Sequence, residues 1–308
     1  MSKRWDILAA GEIYIDHIFT GFASWPDPGG EVFAPSYARD LGGGAAITAC
    51  GLGRMGRAVA VLGMVGSEES AWIASVLAAH RVDGSALRTA AGHTGTTVSI
   101  STAADRSFFS YAGPNSLLPA WLLEEAVIER LTQARHVHLA LAPPRDLAAR
   151  LLPALRAAGT TVSLDPGWQP AWYDDPGNRA TCREVDCFLP NQKEAAWITG
   201  LAPDQATPEE LAAALLRAGF ANTVVKLGSR GAIATQGGAI CRVAAPAVQV
   251  VDTTGAGDAF DAGLIDALLD HAATETMLRR GCLLGSLSVR AAGALSGLPL
   301  REEIEEML

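Results

Sequence analysis

Apolar and polar positions follow two periods along most of the chain. Short β-rich apolar runs read as strands: "WDILAAG" from Trp5, "AVAVLGMVG" from Ala58, "HVHLALA" from His136, "TTVSLD" from Thr160, "CFLP" from Cys187, "TVVKLG" from Thr223 and "GAIATQ" from Gly231. The stretches between them show helical spacing, over 44–55, 69–80, 120–133, 145–158, 192–199, 208–218, 257–271 and 275–292. Strand–helix alternation of this kind predicts an α/β fold, a mainly parallel central sheet with helices on both faces. Two stretches break the alternation. Residues 12–40 are extended, aromatic and Gly/Pro-rich, and residues 94–112 read as two strands around an Ala-Asp turn. Together they predict a small β lid over the ends of the main strands, within a single domain spanning residues 1–308. No internal repeat, linker or low-complexity tract interrupts this pattern.

The most informative stretch is "VQVVDTTGAGDAFDAGLIDALL", residues 248–269. Val248, Val250 and Val251 predict a buried strand, and Gly255 and Gly257 a tight turn. Phe260, Leu264 and Leu268 then recur at helical spacing. Asp258 therefore falls in the first turn of a helix, where free N–H groups and the helix dipole attract anions. A carboxylate within an anion site points to chemistry beside a phosphate.

Composition narrows the classes. The apolar share of 49% over 308 residues is enough for a large core, yet no apolar run approaches the ~20 residues of a membrane span. The opening "MSKRWDILAAGEIYIDHIF" meets acidic residues too early for a secretory signal. Five scattered cysteines fit reduced thiols, so a cytoplasmic protein is expected. A net charge of −9 without a basic block argues against nucleic acid as partner.

Several motifs match other chemistries only on paper. "GLGRMG", Gly51–Gly56, has the spelling of a dinucleotide fingerprint, but it follows a helical stretch and precedes a strand, so Gly53 and Gly56 read as helix-end glycines. There is no G-x-x-x-x-G-K-[ST] phosphate loop and no G-x-S-x-G elbow. His136 and His138 share a strand face without an acidic or thiol neighbour, which reads as buried strand histidine rather than metal ligand; Cys182 and Cys187 lack paired zinc spacing. Other stretches agree with the anion site. "DPGWQ" puts Asp165 at a strand end, "VVKLGSRG" puts Lys226 at another before Gly228 and Gly231, and "GGGAAITA" enters a helix from a glycine turn. Asn191 and Glu194, in "LPNQKE", fit either a capping box or the holding of hydrated Mg²⁺.

Taken together these motifs resemble the ribokinase-like, or PfkB, carbohydrate kinases. "DTTGAGDAFDAG" at 252–263, "LGGGAAITACGLGRMG" at 41–56, "NQKE", "KLGSRG" and "YAGPN" at 111–115 are similar to the family's signatures in order and spacing, from about residue 5 to 297. The resemblance implies an ATP-dependent, Mg²⁺-dependent kinase with a small-molecule sugar or polyol acceptor. A nucleoside kinase on the same fold is the alternative, and a catalytically silent sensor a further one. The resemblance makes Asp258 the general base and the Gly255-Ala256-Gly257 N–H groups the hold on the transferring phosphoryl group. It puts Asp16, Gly42, Gly43 and Asn115 against the acceptor, and Asn191, Lys226, Gly228, Gly231 and Thr254 against the nucleotide. Glu194 would hold Mg²⁺ through water, and Asp252 and Ser296 a monovalent cation such as K⁺. A homodimer through the lid is also expected.

Three departures from the family pattern stand out: Ile47 replaces an asparagine, Gly44 replaces a lysine of ribokinases, and no arginine follows Asp165-Pro166. Asp16 suits a neutral polyhydroxy acceptor, Ile47 and Trp168 would make its pocket more apolar, and Arg39 and Arg106 are the cations close enough in sequence to add charge.

Overall fold

The computed structural model describes residues 3–102, 106–203 and 205–308; the side chains of 101, 102 and 106 are not among the described parts, so the tip of the 94–112 hairpin and the Arg106 side chain lie outside them. A nine-stranded sheet runs, in spatial order, Ala239–Val243, Ala232–Gln236, Thr223–Lys226, Cys187–Phe188, Thr161–Leu164, Ala134–Ala140, Trp5–Gly11, Val59–Leu62 and Val82–Asp83. All neighbours are parallel except the two pairs at the first edge, where Thr223–Lys226, Ala232–Gln236 and Ala239–Val243 form an antiparallel meander. The strand Trp5–Gly11 shows why both faces are covered. Ile7 and Ala9 enter one core, with the helices Gly44–Arg54, Ala256–Leu269 and Thr274–Ser288; Leu8 and Ala10 enter the other, with Arg145–Ala157, Gln192–Thr199 and Pro208–Arg217. An apolar side chain on either face withdraws about 1.5–3 kcal/mol worth of surface from water when fully buried.

The helix Ala256–Leu269 lies against Thr274–Ser288 at very short range because small residues meet there. A side-chain carbon added at Gly263 would stand 2.5 Å from the Arg280 carbonyl oxygen, and one at Gly281 would stand 2.9 Å from the Phe260 ring. This anchorage fixes the helix whose first turn carries Asp258.

A second sheet of four strands, in the order Ser36–Gly42, Tyr14–Phe22, Gly95–Thr102 and Arg106–Tyr111, forms the lid that the unpatterned segments predict. Its alternation is plain. Phe19, Tyr37, Val98 and Ile100 border an outer hollow of 680 Å³ with Trp25 and Phe33. Ile18, Ala38 and Ser99 face a 490 Å³ chamber closed on the other side by residues 250–254.

Three expectations need correction. The 120–133 helix is two, Leu118–Leu122 and Glu125–Leu131, because Glu124 turns extended (ψ 133°) between them. Helices Pro170–Asp174 and Pro176–Glu184 occupy a stretch without clear period; the signal was Asp175, which accepts N–H bonds from Gly177 (2.6 Å) and Asn178 before a proline at the first helical position. Val248, Val250 and Val251 form no buried strand: Val250 and Val251 are 58% and 59% exposed. The Val251 and Asp252 N–H groups donate to the Val289 carbonyl rather than to a neighbouring strand. A β-branched run reads the same whether it packs into a core or walls a cleft, and here it walls clefts.

Candidate active site

The first turn of the helix Ala256–Leu269 separates two hollows. Asp258 borders one of 420 Å³, together with Glu12, Tyr14, Gly43, Gly44, Asn115, Asp165 and Trp172. Ala256 and Gly257 border another of 460 Å³, together with Lys226, Gly228, Gly231, Val248 and Phe260. The turn is possible because Gly255, the N-cap, takes φ 71°, a left-handed conformation costly for any other residue; a side chain there would also strike Ala294. First-turn N–H groups have no partners within their own helix; that of Ala256 donates to the Thr253 carbonyl at 3.3 Å.

The Asp258 carboxyl is pushed up to about 7, chiefly by burial and then by the charge of Asp165, with Lys226 pulling the other way. Gly44 gives it room: a side-chain carbon there would stand 2.9 Å from Asp258 Oδ1. Behind it lies a charged cluster. Lys226 Nζ donates to Asp165 Oδ2 at 2.6 Å and to both oxygens of Asp261 at 3.1 and 3.2 Å. Burial raises Asp261 well above the ordinary carboxyl range, against the pull of Lys226. Asp165 goes the other way: burial would raise it, but the Lys226 charge and hydrogen bonds hold it low. Asp261 is a residue the sequence reading missed; the signal was an acid within the apolar face of a helix, one turn beyond Asp258.

The remaining expected residues fall in three places. Around the 420 Å³ cleft, Gly43 and Asn115 line it, and Asn115 also ties the Ile13 backbone by two bonds, of 3.1 and 2.9 Å. Asp16 does not line this cleft; its carboxyl sits on Gly42, where any side chain would collide with it. Burial raises Asp16 to about 7, with Asp40, Asp258 and Asp252 adding repulsion. Lys226, Gly228 and Gly231 line the other cleft, whereas Thr254 does not and borders the 490 Å³ chamber instead. Asn191 and Glu194 line neither hollow. They form a reciprocal capping box: Asn191 N–H donates to Glu194 Oε2 at 2.7 Å and Glu194 N–H to Asn191 Oδ1 at 3.0 Å. Glu194 is buried and raised to about 7 by that burial, then by Asp165. Asp252 accepts from the N–H and hydroxyl of Thr254 and from Gly293 N–H, while Ser296 is exposed.

Two expectations about the acceptor pocket are overturned. Ile47 is 3% exposed and packs under the Gly255 turn, so it cannot make the pocket apolar. Trp168 points outward, edge-on to Trp197; the aromatic wall is Trp172, held by its Nε1–H to the Pro143 carbonyl at 2.8 Å. Arg39 stacks on Trp72 with 4.2 Å between its guanidinium and the ring, outside the cleft. His136 and His138 are buried strand residues, as expected; burial pushes them down to about 3 and about 4. Every cysteine in the chain is a free thiol.

Residues 6–301 match the model of the pfkB family carbohydrate kinases. The chain belongs to that family. It is 30% identical over 292 residues to 2-dehydro-3-deoxygluconokinase of Bacillus subtilis, covering 89% of this chain and 88% of that protein. Ribokinase of Haemophilus influenzae is 25% identical, covering 99% of each. Among solved structures, Arabidopsis thaliana ribokinase complexed with ribose and ATP superposes with a TM-score of 0.86 at 24% identity, over 100% of this chain and 99% of that one. A Burkholderia thailandensis nucleoside kinase in complex with inosine superposes at 0.77 and 19% identity, over 98% and 97%. These structures establish the ribokinase-like fold. No helix among the described residues is long and apolar enough to cross a membrane.

Proposed function

We propose that the chain transfers the γ-phosphate of ATP to a hydroxyl of a small carbohydrate or polyol bound in the 420 Å³ cleft. One observation carries this: Asp258 opens on one cleft while Ala256 and Gly257, in the same turn, open on the other. An acceptor hydroxyl beside Asp258 and a phosphate over the N–H groups of 255–257 would then be neighbours. Asp258 removes the hydroxyl proton as the oxygen attacks, and the N–H groups with Lys226 offset charge on the transferring group. Lys226 Nζ stands 3.5 Å from where a Gly257 side chain would begin, near enough to serve that turn. Adenine suits the apolar wall of Ala245, Val248, Val250 and Phe260.

Magnesium fits the junction. Asp165, Asp258 and Asp261 each offer an oxygen, all within 4.8 Å of one another. Glu194, near enough for the Asp165 charge to raise its carboxyl, is our assignment for a water-mediated role. When bound there, Mg²⁺ supplies charge neutralisation for the ATP phosphates. Asp252, Thr254 and Ser296 remain our assignment for a monovalent cation.

The cleft also speaks to the acceptor. Among the described residues no lysine, arginine or histidine lines it, so a sugar acid such as the Bacillus subtilis relative's name implies, or a sugar phosphate, would meet no cation from them. Trp172 keeps a nucleoside in view, as a ring on which a base could stack. An ADP-release screen over free sugars, polyols, nucleosides, sugar acids and sugar phosphates, with Mg²⁺ and with or without K⁺, tests the reading. Turnover of a neutral or amine-bearing carbohydrate is expected; ADP release confined to sugar phosphates would overturn the acceptor assignment, and none at all the kinase itself.

We read residues 1–308 as one kinase domain, with segments 12–40 and 94–112 as the lid excluding water from the reaction. Trp25, Phe33, Tyr37, Phe108, Phe109 and Tyr111 are exposed on it, a larger aromatic surface than a monomer ordinarily leaves to water. A second copy paired through the lid would cover them. Light scattering should therefore give twice the chain mass, and a strictly monomeric mass would remove the dimer.

A further inference from the structure

The acceptor cleft is lined by acids. Its charged lining residues are Glu12, Asp165 and Asp258, and each of the three has different company. Asp165 is matched by Lys226 at 2.6 Å on the side away from the cleft. Asp258 is the group that takes the acceptor's proton in the reading above. Glu12 has no such partner: among the described residues its one side-chain hydrogen bond comes from the Tyr14 hydroxyl, which donates to Oε2 at 3.1 Å. That donor is fixed in its neutral form, since burial and the neighbouring Glu12 push the Tyr14 hydroxyl up to about 12. Tyr14 therefore orients the Glu12 carboxylate without neutralising it.

Leu118, Pro119, Leu141 and Trp172 supply apolar walls beside the polar Tyr14, Asn115 and Gln169. Water is poorly placed to screen a charge between such walls, so a carboxylate there favours a cation more than it would in open solvent. The sequence placed two cations near enough to offset it. Arg39 is held against Trp72, and the Arg106 side chain lies outside the described residues.

Resting on the kinase reading, we propose that the acceptor carries an amine. It is an amino sugar or amino polyol, bound with its ammonium on Glu12 and the hydroxyl to be phosphorylated on Asp258. Glu12 is then a specificity-determining residue rather than a catalytic one. An ammonium donates charge-assisted bonds to the free lone pairs of Glu12, about twice as strong as those of a hydroxyl in the same place. A carboxylate or phosphate at that position is repelled.

The test uses the full chain with Mg-ATP and sets of acceptors matched in frame: an aldopentose, an aldohexose and a hexitol, each as the neutral compound, the amino-deoxy compound, its N-acetyl derivative and the corresponding acid. We expect kcat/KM for the best amino compound to exceed that of its neutral and N-acetyl partners by about tenfold or more, with the acid poorest. In Glu12→Gln the ratio of amino to neutral acceptor should collapse to within about threefold. The ratio is taken on one preparation, so it does not depend on how much of the variant is folded. A neutral or acidic compound preferred by the wild type, or a ratio unchanged in Glu12→Gln, overturns the proposal while leaving the kinase reading in place. No ADP release from any compound overturns both.

Discussion

The helix Ala256–Leu269 carries buried acids at both ends, and the two ends are balanced in opposite ways. At its start, Asp258, Asp261 and the nearby Asp165 share a single ammonium, that of Lys226. At its finish, Asp266 is fully buried and receives Arg57 at 2.6 Å, Arg280 at 2.5 Å and Arg301 at 2.8 Å, while Asp270 just beyond takes Arg57 at 2.6 Å and Arg280 at 2.9 Å. Three carboxylates to one cation leaves negative charge unsatisfied, and three guanidiniums to two aspartates leaves none. The titrations follow. Asp258 rises to about 7, whereas Asp270, which burial alone would raise, is held below its ordinary value by hydrogen bonds from Arg57 and Arg280. The under-balanced end can accept a proton near neutral pH. The over-balanced end joins the helix to Arg57, Thr274–Ser288 and the C-terminal helix Arg301–Glu305. Chemistry and anchorage are thus separated along one helix by the number of cations supplied to each end.

Removing one acid from each end should separate activity from stability. Asp258→Asn is expected to cut turnover by about 10² to 10⁴ while the affinity for ATP measured without Mg²⁺ is largely kept, since it removes the general base and one acid offered to Mg²⁺ but no phosphate donor. Its unfolding free energy should be unchanged or higher, because an amide replaces a carboxylate repelled by Asp165. Asp266→Asn should do the opposite. It leaves three guanidiniums around a neutral group, and breaking a buried pair of this kind costs about 3–5 kcal/mol. Urea unfolding should reveal that loss, with turnover of the folded fraction close to normal. If Asp258→Asn turns over normally, the base assignment fails. If Asp266→Asn is as stable as the wild type, the anchor is not an anchor.

The contrast also shows what could be read along the chain and what could not. Asp258 in a first turn and Lys226 at a strand end were legible, because turn glycines and apolar period are local signals. The main sheet was legible for the same reason, and the lid from the absence of helical period in 12–40. The Asp165–Lys226–Asp261 cluster was not, since its members come from separate strands and a helix and meet only in the fold. Nor was the Asp266 cluster, where one acid in an apolar helical run gives no hint of three arginines. Ile47 misled because a family position was taken to keep its direction; the side chain turns under Gly255 instead. Only the short helices of 170–184 decide that Trp172 rather than Trp168 faces the cleft, and they carry no apolar period to read.

The smallest effect is the one that ties both properties to pH. Asp16, Glu194 and Asp258 each stand near 7 in the fold, raised first of all by burial, against an ordinary value near 4 in an unfolded chain. A raised carboxyl binds its proton more tightly folded than unfolded. Its stabilisation is therefore complete below about pH 4 and is lost as pH climbs through about 7. Asp165 and Asp270, both held low, lose their contribution only as pH falls below the ordinary carboxyl range, outside this window. Buried His136 and His138, held low, add stability as pH rises through the ordinary histidine value near 6.5, so the acids act alone only above it. Between about pH 7 and 8.5 the ligand-free protein should thus melt at progressively lower temperature, and Asp258→Asn should show a shallower fall. Activity should run the other way, since only the deprotonated Asp258 can take a proton, so kcat/KM should rise with pH through about 7. Melting curves and initial rates across the same buffers check the pair. A melting temperature that rises with pH over this window would mean that the acids at the start of the helix are balanced after all, and that the two ends do not differ as their cation counts imply.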